Sequence, residues 1–250
     1  MDAIGSDEHG RAEINYDKCV SCGMCLVNCP FGAIVDKGQM FQVIHAIKRG
    51  DKVIPIIAPA FWGQFGDKVT AGQLKTAMEM LGFCGIEEVA IGADLCAIEE
   101  AEEFLESVPE KQPFMGTSCC PAWSVMAKTE FPGFAPYISM TMTPMVLTAR
   151  LVKRRNPGCR IAFIGPCAAK KLEASRRSVR SEVDFVLTFE ELRGMFEAKD
   201  IDLEKVEDSP SHHEASAPGV GFAAGGGGAK AVVGVIHRLH PGVEVKTITA

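Results

Sequence analysis

Short apolar runs alternate with segments of helical periodicity along most of the chain. Buried strands are predicted at the apolar runs, which lie at Val53–Ala58, Glu88–Ile91, Phe114–Met115, Arg160–Ile164, Asp184–Leu187 and Val243–Ile248. Helices are predicted between them, at Phe41–Lys48, Thr70–Leu81, Ala97–Ser107, Pro144–Arg155, Phe189–Lys199 and Gly227–His237. Because strands that alternate with helices pair in parallel, the pattern predicts an α/β fold with parallel sheets flanked by helices. The functional loops of such a fold lie at the carboxyl ends of its strands.

Residues 1–38 have a different pattern. Two short β-prone stretches, Ala12–Asn15 and Ala33–Asp36, flank a cysteine-rich loop, which is typical of a ferredoxin-like α+β iron–sulfur domain. The regular alternation begins at Gln39. We therefore expect a partial ferredoxin-like domain over residues 1–38, followed by the α/β domain over residues 39–250.

Composition and charge limit the possible partners. Hydrophobic residues make up 47% of the 250 residues and charged residues 23%, as in ordinary globular proteins. The net charge of −6 argues against a nucleic-acid partner, and the basic cluster of Arg176, Arg177 and Arg180 is interpreted as a solvated helix face. No apolar run approaches the ~20 residues of a membrane span, and the N-terminus lacks the basic and apolar parts of a signal peptide. We therefore expect a cytoplasmic protein.

The 10 cysteines carry the strongest chemical signal. In a reducing compartment, cysteines are more often metal ligands, catalytic thiols or small buried residues than disulfides. Cys19, Cys22, Cys25 and Cys29, the last followed by Pro30, have the spacing of bacterial ferredoxins, in which three close thiolates wrap one 4Fe–4S cluster. The segment is predicted to bind such a cluster.

The fourth cysteine of this motif leads to a further expectation, because in two-cluster ferredoxins it ligates the other cluster. Cys29 then needs a partner motif. The triplet Asp2-Ala3-Ile4 echoes Gly32-Ala33-Ile34, and each triplet leads into a polar turn. This repeat suggests the hypothesis that a cysteine-rich half-repeat precedes the given chain, which would begin inside its iron–sulfur domain.

Two other cysteine segments follow predicted strands. Cys119 and Cys120 follow one short apolar run, and Cys167 follows another. Thiols that lie at one edge of a sheet, beside lysines and prolines, indicate a metal or redox site. The alternative is a set of inert buried thiols beside a solvated pair of lysines, Lys170 and Lys171.

The cysteine segments resemble those of a known family. TSCCPAW at residues 117–123 resembles the first active-site signature of FeFe hydrogenases, and GPCAAKKLEA at residues 165–174 resembles the second. With IAPAFWGQFG at residues 57–66 and the ferredoxin motif, the resemblance covers nearly the whole chain. It implies the FeFe hydrogenase large-domain fold, reversible reduction of protons to hydrogen and a ferredoxin as electron partner. It also implies a 4Fe–4S cubane joined to a diiron unit that carries carbon monoxide, cyanide and a bridging dithiolate.

The resemblance implies roles for individual residues by position. Cys120 and Cys167 would ligate the cubane. Lys170 would hold a cyanide of the diiron unit by a charge-assisted hydrogen bond, and the backbone around Ala58 and Pro59 would face the same ligands.

A proton relay is implied as well. By resemblance it would run through Glu100, Ser139, Glu103, a water and Cys119, the thiol next to the bridging amine. Glu100 and Glu103 are three positions apart on the predicted helix Ala97–Ser107 and therefore share one face. The alternative is that these glutamates only complement the dipole at the start of the helix.

The chain departs from the family pattern after Cys167. The third signature of the family carries two more cysteines, whereas no cysteine follows Cys167 in this sequence. Cys159 is not a substitute, because it lies at the opposite end of the predicted strand, and Cys84 and Cys96 are interpreted as ordinary buried thiols. We expect either that the chain stops short of these ligands or that another subunit supplies them.

Substitutions inside the motifs are typical of a divergent branch. Gly165 stands where the well-studied enzymes carry methionine, Ala60 where many carry serine, and Met145 where many carry glutamine. Three non-catalytic functions stay open as alternatives, namely electron transfer, hydrogen sensing and cluster assembly.

Two remaining features have simple interpretations. The loop Ser209–Gly221 contains His212 and His213, a potential metal-binding pair that is interpreted as solvated. The glycine run Gly225–Gly228 is not followed by the Gly-Lys-Ser/Thr sequence of a phosphate-binding loop.

Overall fold

The computed structural model describes residues 2–177, 179–210 and 214–248. The chain opens with an antiparallel hairpin of β1 (Ile4–Ser6) and β2 (Ala12–Ile14), and the short helix α1 (Met24–Asn28) follows in the cysteine-rich segment. Strand β2 agrees with a predicted stretch. The predicted strand at Ala33–Asp36 is wrong, because that segment is irregular and β1 pairs with β2 instead.

A four-stranded parallel sheet forms the centre of the α/β part. Its strands are β3 (Val53–Ile57), β4 (Glu87–Glu88), β5 (Arg160–Gly165) and β6 (Phe185–Thr188), in the spatial order β4-β3-β5-β6. All residues of β3 are buried, as are all but the first of β5, which is typical of parallel strands covered on both faces. The predicted α/β fold, with helices around parallel sheet and an iron–sulfur segment before it, is confirmed.

Helices are the other main elements of the α/β part. They are α2 (Met40–Lys48), α3 (Ala71–Met80), α4 (Val89–Ser107), α5 (Pro121–Glu130), α6 (Pro144–Arg155), α7 (Ala169–Ser175), α8 (Phe189–Glu197), α9 (Ala217–Gly221) and α10 (Gly227–Leu239). Capping boxes begin α3 and α8, where the hydroxyls of Thr70 and Thr188 accept the backbone N–H three residues on. Helix α2 begins just after the expected domain division at residues 38–39, which stays a prediction.

The predicted strand Glu88–Ile91 is largely wrong. Only Glu87–Glu88 is extended, and α4 begins at Val89. The apolar residues belong to a buried helix that packs closely on α6, since a Cβ on Gly92 would lie 2.4 Å from the Pro144 carbonyl oxygen. A short apolar run does not distinguish a buried strand from a buried helix.

The predicted strands Phe114–Met115 and Val243–Ile248 do not form among the described residues. Beside the first, Gly116 makes a single bridge to Ile138, while the Phe114 ring packs edge-on against neighbouring aromatic rings. In the second, two valines pack against the apolar cluster of α4 and α10 without pairing to a strand. Neither of these described runs contains a fully buried residue, so an apolar run alone did not indicate a buried strand.

Three further expectations concern the surface. Arg176 and Arg177 lie in the segment after α7 and not on a helix face. Arg180 lies in the same segment and is exposed. The pair His212 and His213 lies outside the described residues. Across the described part of the chain, the helices are too short or too polar to cross a membrane.

Candidate active site

Three loops meet at the carboxyl edge of the parallel sheet. Ile57 of β3 pairs with Ile164 of β5, and the Ala58 N–H donates to the Ile164 carbonyl oxygen at 2.8 Å. Ala58 and Pro59 therefore lie beside the start of the loop that carries Cys167. The third loop ends at Cys120, the residue before α5, and α5 contacts α7.

Lys170 joins two of these loops. Its Nζ donates to the Cys119 carbonyl oxygen at 2.9 Å and to Glu173 Oε2 at 2.7 Å. Glu173 is 3% exposed, and its other oxygen accepts from Thr143 Oγ1 at 2.6 Å. The alternative of a solvated lysine pair is wrong, because Lys170 and Lys171 are mostly buried and each is ion-paired to its own carboxylates.

Cys119 is partly buried in surroundings that favour the neutral thiol. Burial raises the pKa of Cys119, the nearby Glu100 carboxylate raises it further, and the Lys170 ammonium opposes them. Helix α10 approaches the thiol through Gly228, where a Cβ would lie 3.8 Å from the sulfur. Near neutral pH the sulfur therefore keeps its proton.

Glu100 is a buried acid on α4. It is 0% exposed, and its Oε1 accepts the Ser118 backbone N–H at 3.2 Å, while Oε2 has no hydrogen-bond partner among the described residues. Burial raises the pKa of Glu100 to about 7, against an opposing hydrogen bond from Ser118. The Glu103 charge raises this pKa, and the nearby Ser139 hydroxyl lowers it. Glu100 can therefore gain or lose a proton near neutral pH.

Ser139 and Glu103 continue the polar contacts away from Glu100. Ser139 is 1% exposed, and its hydroxyl donates to Glu103 Oε2 at 2.5 Å. Thr141 Oγ1 donates to the same oxygen at 3.2 Å. Glu103 is partly exposed, so the contacts lead from the interior toward solvent.

The order of these groups differs from the expected one. The resemblance placed Glu103 next to Cys119, whereas the structure places Glu100 there, beside the Cys119 loop, and Glu103 toward the surface. Spacing on α4 shows that both glutamates share a face. The spacing alone does not show which of the two glutamates contacts the loop that carries Cys119.

Several polar partners in this region were not predicted from the sequence. Glu173 lies three residues after Lys170, and this helical spacing was the available signal. Thr143, Thr141 and the Ser118 amide had no comparable signal, because their contacts depend on tertiary packing.

The N-terminal cysteines lie on a loop and on α1. The Ser21 N–H donates to Cys19 Sγ at 3.4 Å, and the Ala33 N–H donates to Cys29 Sγ at 3.4 Å. Backbone N–H groups, led by that of Ala33 and then that of Phe31, lower the pKa of Cys29. Such amide donors favour thiolates, the form of cysteine that binds iron.

The two cysteine sets differ in how well they fit iron–sulfur clusters. Cys19, Cys22, Cys25 and Cys29 provide the four thiols of a ferredoxin motif, although no three potential ligands of the described residues converge as they would around a single metal ion. Cys119, Cys120 and Cys167 lie near the sheet edge; because burial favours the neutral form of Cys119, Cys120 and Cys167 are the two thiols there that can bind a cubane, which takes four. The second donor set is therefore incomplete in this chain.

The remaining three cysteines do not complete that set. Cys159 is buried at the start of β5, at the end of the strand away from Cys167. Cys96 is buried within α4, as expected. Cys84 is exposed, which corrects its interpretation as a buried thiol.

Family models match most of the chain. Residues 51–250 match the model described as "Iron only hydrogenase large subunit, C-terminal domain", and residues 11–34 match "4Fe-4S binding domain". The two matches coincide with the sheet-edge cysteines and with the ferredoxin motif.

Curated relatives include both hydrogenases and other iron–sulfur proteins. Iron hydrogenase 1 of Clostridium pasteurianum is 32% identical over 79% of this chain and 39% of its own length. The NADP-reducing hydrogenase subunit HndD of Solidesulfovibrio fructosivorans is 27% identical over 92% of this chain and 44% of its own length. A "Probable cytosolic Fe-S cluster assembly factor" of Drosophila willistoni is 28% identical over 84% of this chain and 50% of its own length. The chain thus spans half or less of these relatives.

Solved structures confirm the fold. A variant of apo [FeFe]-hydrogenase HydA1 from Chlamydomonas reinhardtii superposes with a TM-score of 0.70 at 23% identity, over 85% of this chain and 61% of that one. This likeness shows the fold, and the family model over residues 51–250 shows that the chain belongs to the iron-only hydrogenase large-subunit family.

Proposed function

We propose that the complete protein catalyses the reversible reduction of protons to hydrogen. Electrons would arrive from a ferredoxin or a similar carrier through Cys19, Cys22, Cys25 and Cys29, in the cytoplasm. The observation that carries this proposal is the group of Cys119, Glu100, Ser139 and Glu103, in which Glu100 is fully buried beside the Cys119 loop and Ser139 donates to the partly exposed Glu103.

The residues at the sheet edge would hold the active-site group in part. Cys120 and Cys167 would give two thiolates to a cubane, and Ala58, Pro59 and Lys170 would face the diiron unit. Two of the three N–H bonds of the Lys170 ammonium go to Cys119 and Glu173, which leaves one for an anionic ligand. When bound, the group would supply the redox centre at which protons and electrons combine. The other thiolates would come from a part of the protein beyond this chain or from another subunit.

The polar series has the properties of a proton path. Cys119 holds a proton as a neutral thiol, and Glu100, with a pKa of about 7, can exchange one at neutral pH. The Ser139 hydroxyl donates to Glu103, and its oxygen would accept a proton from the unpartnered Oε2 of a protonated Glu100, because a hydroxyl both accepts and donates a hydrogen bond. Glu103 then exchanges its proton with solvent.

A non-catalytic iron–sulfur function is the second candidate. The likeness to a cluster-assembly factor and the two-cysteine donor set favour it. The buried Glu100 argues against it, because burying a carboxylate with an unpartnered oxygen is costly and gives no benefit to a protein that moves no protons.

Isotope exchange distinguishes the two candidates. The full-length, iron-loaded protein is incubated with D2 in H2O, and the release of HD is measured by mass spectrometry. We expect exchange in the wild type, a loss of at least ~100-fold in Cys119→Ser, and no change in the exposed-cysteine control Cys84→Ser. The absence of exchange in the fully loaded wild type would contradict the catalytic proposal.

A further inference from the structure

Lys171 is a second mostly buried lysine beside the candidate active site. It lies on α7, shortly after Cys167, and its side chain is 12% exposed. Its Nζ donates to Asp36 Oδ2 at 2.6 Å and to both carboxylate oxygens of Glu191 at 3.0 Å. One ammonium therefore joins three segments that are distant in sequence.

Glu191 is the fixed partner of this ammonium. It belongs to the capping box of α8, where its Oε2 accepts the Thr188 N–H at 2.7 Å and its own N–H donates to Thr188 Oγ1 at 3.1 Å. The carboxylate is thereby held at the start of α8, and its side chain is 13% exposed. Lys171 is in turn held in place on the α/β part of the molecule.

Asp36 connects the cysteine-rich segment to the Lys171 ammonium. It lies between Cys29 and α2, and a second contact holds the same stretch, since Gln39 Oε1 accepts the Val186 N–H of β6 at 2.8 Å. Asp36 and Glu191 bind one ammonium, so without it two carboxylates would face each other at close range. Two carboxylates that close together repel each other, so the segment that carries Asp36 would move away from the α/β part of the molecule.

We propose that Lys171 is a positioning residue that locks the cysteine-rich segment to the helix following Cys167. The lock fixes the separation between the segment that receives electrons and the site that uses them. Electron transfer falls steeply as the distance between redox centres grows, so a loose segment would slow it. The electron-entry role rests on the proposed function, whereas the lock is a property of the chain itself.

Limited proteolysis tests the lock without any assay of activity. Lys37 is exposed next to Asp36, so trypsin has a cleavage site inside the locked segment. We expect cleavage after Lys37 in the full-length protein to be about tenfold faster in Lys171→Met and in Asp36→Asn, as for the loss of a part-buried ion pair. Lys171→Arg should keep the wild-type rate. So should Lys205→Met, which removes an exposed ion pair to Asp202 elsewhere in the chain.

Hydrogen assays test the electron-entry role. The measured quantity is the ratio of ferredoxin-driven hydrogen evolution to D2 exchange, because exchange needs no external electrons. The ratio should fall severalfold in Lys171→Met and Asp36→Asn and recover in Lys171→Arg. Unchanged cleavage after Lys37 in both variants would overturn the lock, and faster cleavage with an unchanged ratio would overturn its role in electron entry. A wild type without exchange would contradict the proposed function instead, and the cleavage rates would still decide the lock.

Discussion

At the residue scale, the most informative group is Glu100. Its complete burial, its unpartnered oxygen and its pKa of about 7 arise from one position on α4. The spacing of Glu100 and Glu103 was sufficient to predict a shared face. Their order toward Cys119 was not predictable, because it depends on how the loop before α5 meets α4 in three dimensions.

The raised pKa of Glu100 makes the free energy of unfolding depend on pH. Since the pKa rises from 4.5 to about 7 on folding, the contribution of Glu100 is complete below pH 4.5 and is lost as the pH rises through 7. Glu100→Gln imitates the protonated acid, so it should remove this dependence. Relative to the variant, the wild type should lose about 3 kcal/mol as the pH rises through this window, on the order of the pKa shift.

Urea unfolding at a series of pH values measures this difference. Glu102→Gln is the matched control, because Glu102 is exposed on the same helix and should follow the wild-type curve. Parallel curves for the wild type and Glu100→Gln between pH 4.5 and 7 would contradict the assigned burial of a neutral acid.

At the element scale, the central sheet was largely predictable and its surroundings were not. Val53–Ala58, Arg160–Ile164 and Asp184–Leu187 were predicted within a residue of β3, β5 and β6, because their β-branched and aromatic runs are long enough to be distinctive. The apolar run at Glu88–Ile91 was misread, because small residues there serve helix packing. Helix α4 begins eight residues before the predicted start and carries both glutamates.

Close packing of α4 on α6 holds Glu100 in position, and Gly92 makes it possible. A Cβ at Gly92 would lie 2.3 Å from Thr148 Oγ1 and 2.4 Å from the Pro144 carbonyl oxygen. The carbonyl oxygen belongs to the backbone of α6, so it cannot move aside as a flexible side chain could. We expect Gly92→Ala to lower the free energy of unfolding by ~1–3 kcal/mol.

Gly194 on α8 provides the matched control for this substitution. It is exposed, and a Cβ there would meet no atom within 4 Å, so Gly194→Ala should stabilise the protein by about 0.5–1 kcal/mol. Denaturant unfolding measures both changes. A neutral Gly92→Ala would show that α4 and α6 are less tightly packed than the structure indicates.

At the scale of the whole molecule, the sheet edge collects residues that are far apart in the sequence. The segments at 58–59, 117–120 and 165–170 meet there because parallel strands end at one edge and α5 contacts α7. That convergence was expected from the alternation of strands and helices. The Lys171 contacts with Asp36 and Glu191 were not, because no local pattern connects α7, α8 and the cysteine-rich segment.

The central claim is that Glu100, Ser139 and Glu103 carry protons for hydrogen chemistry. The most direct test is the rate of HD formation from D2 in H2O by the full-length, iron-loaded protein, compared between Glu103→Gln and Glu102→Gln. A glutamine at position 103 keeps the shape of the side chain but takes up no proton, so we expect a loss of ~100-fold or more. Glu102→Gln changes the neighbouring exposed carboxylate and should match the wild type. Equal rates of HD formation in the two variants would contradict the claim, because protons would then reach the site by a route that does not include Glu103.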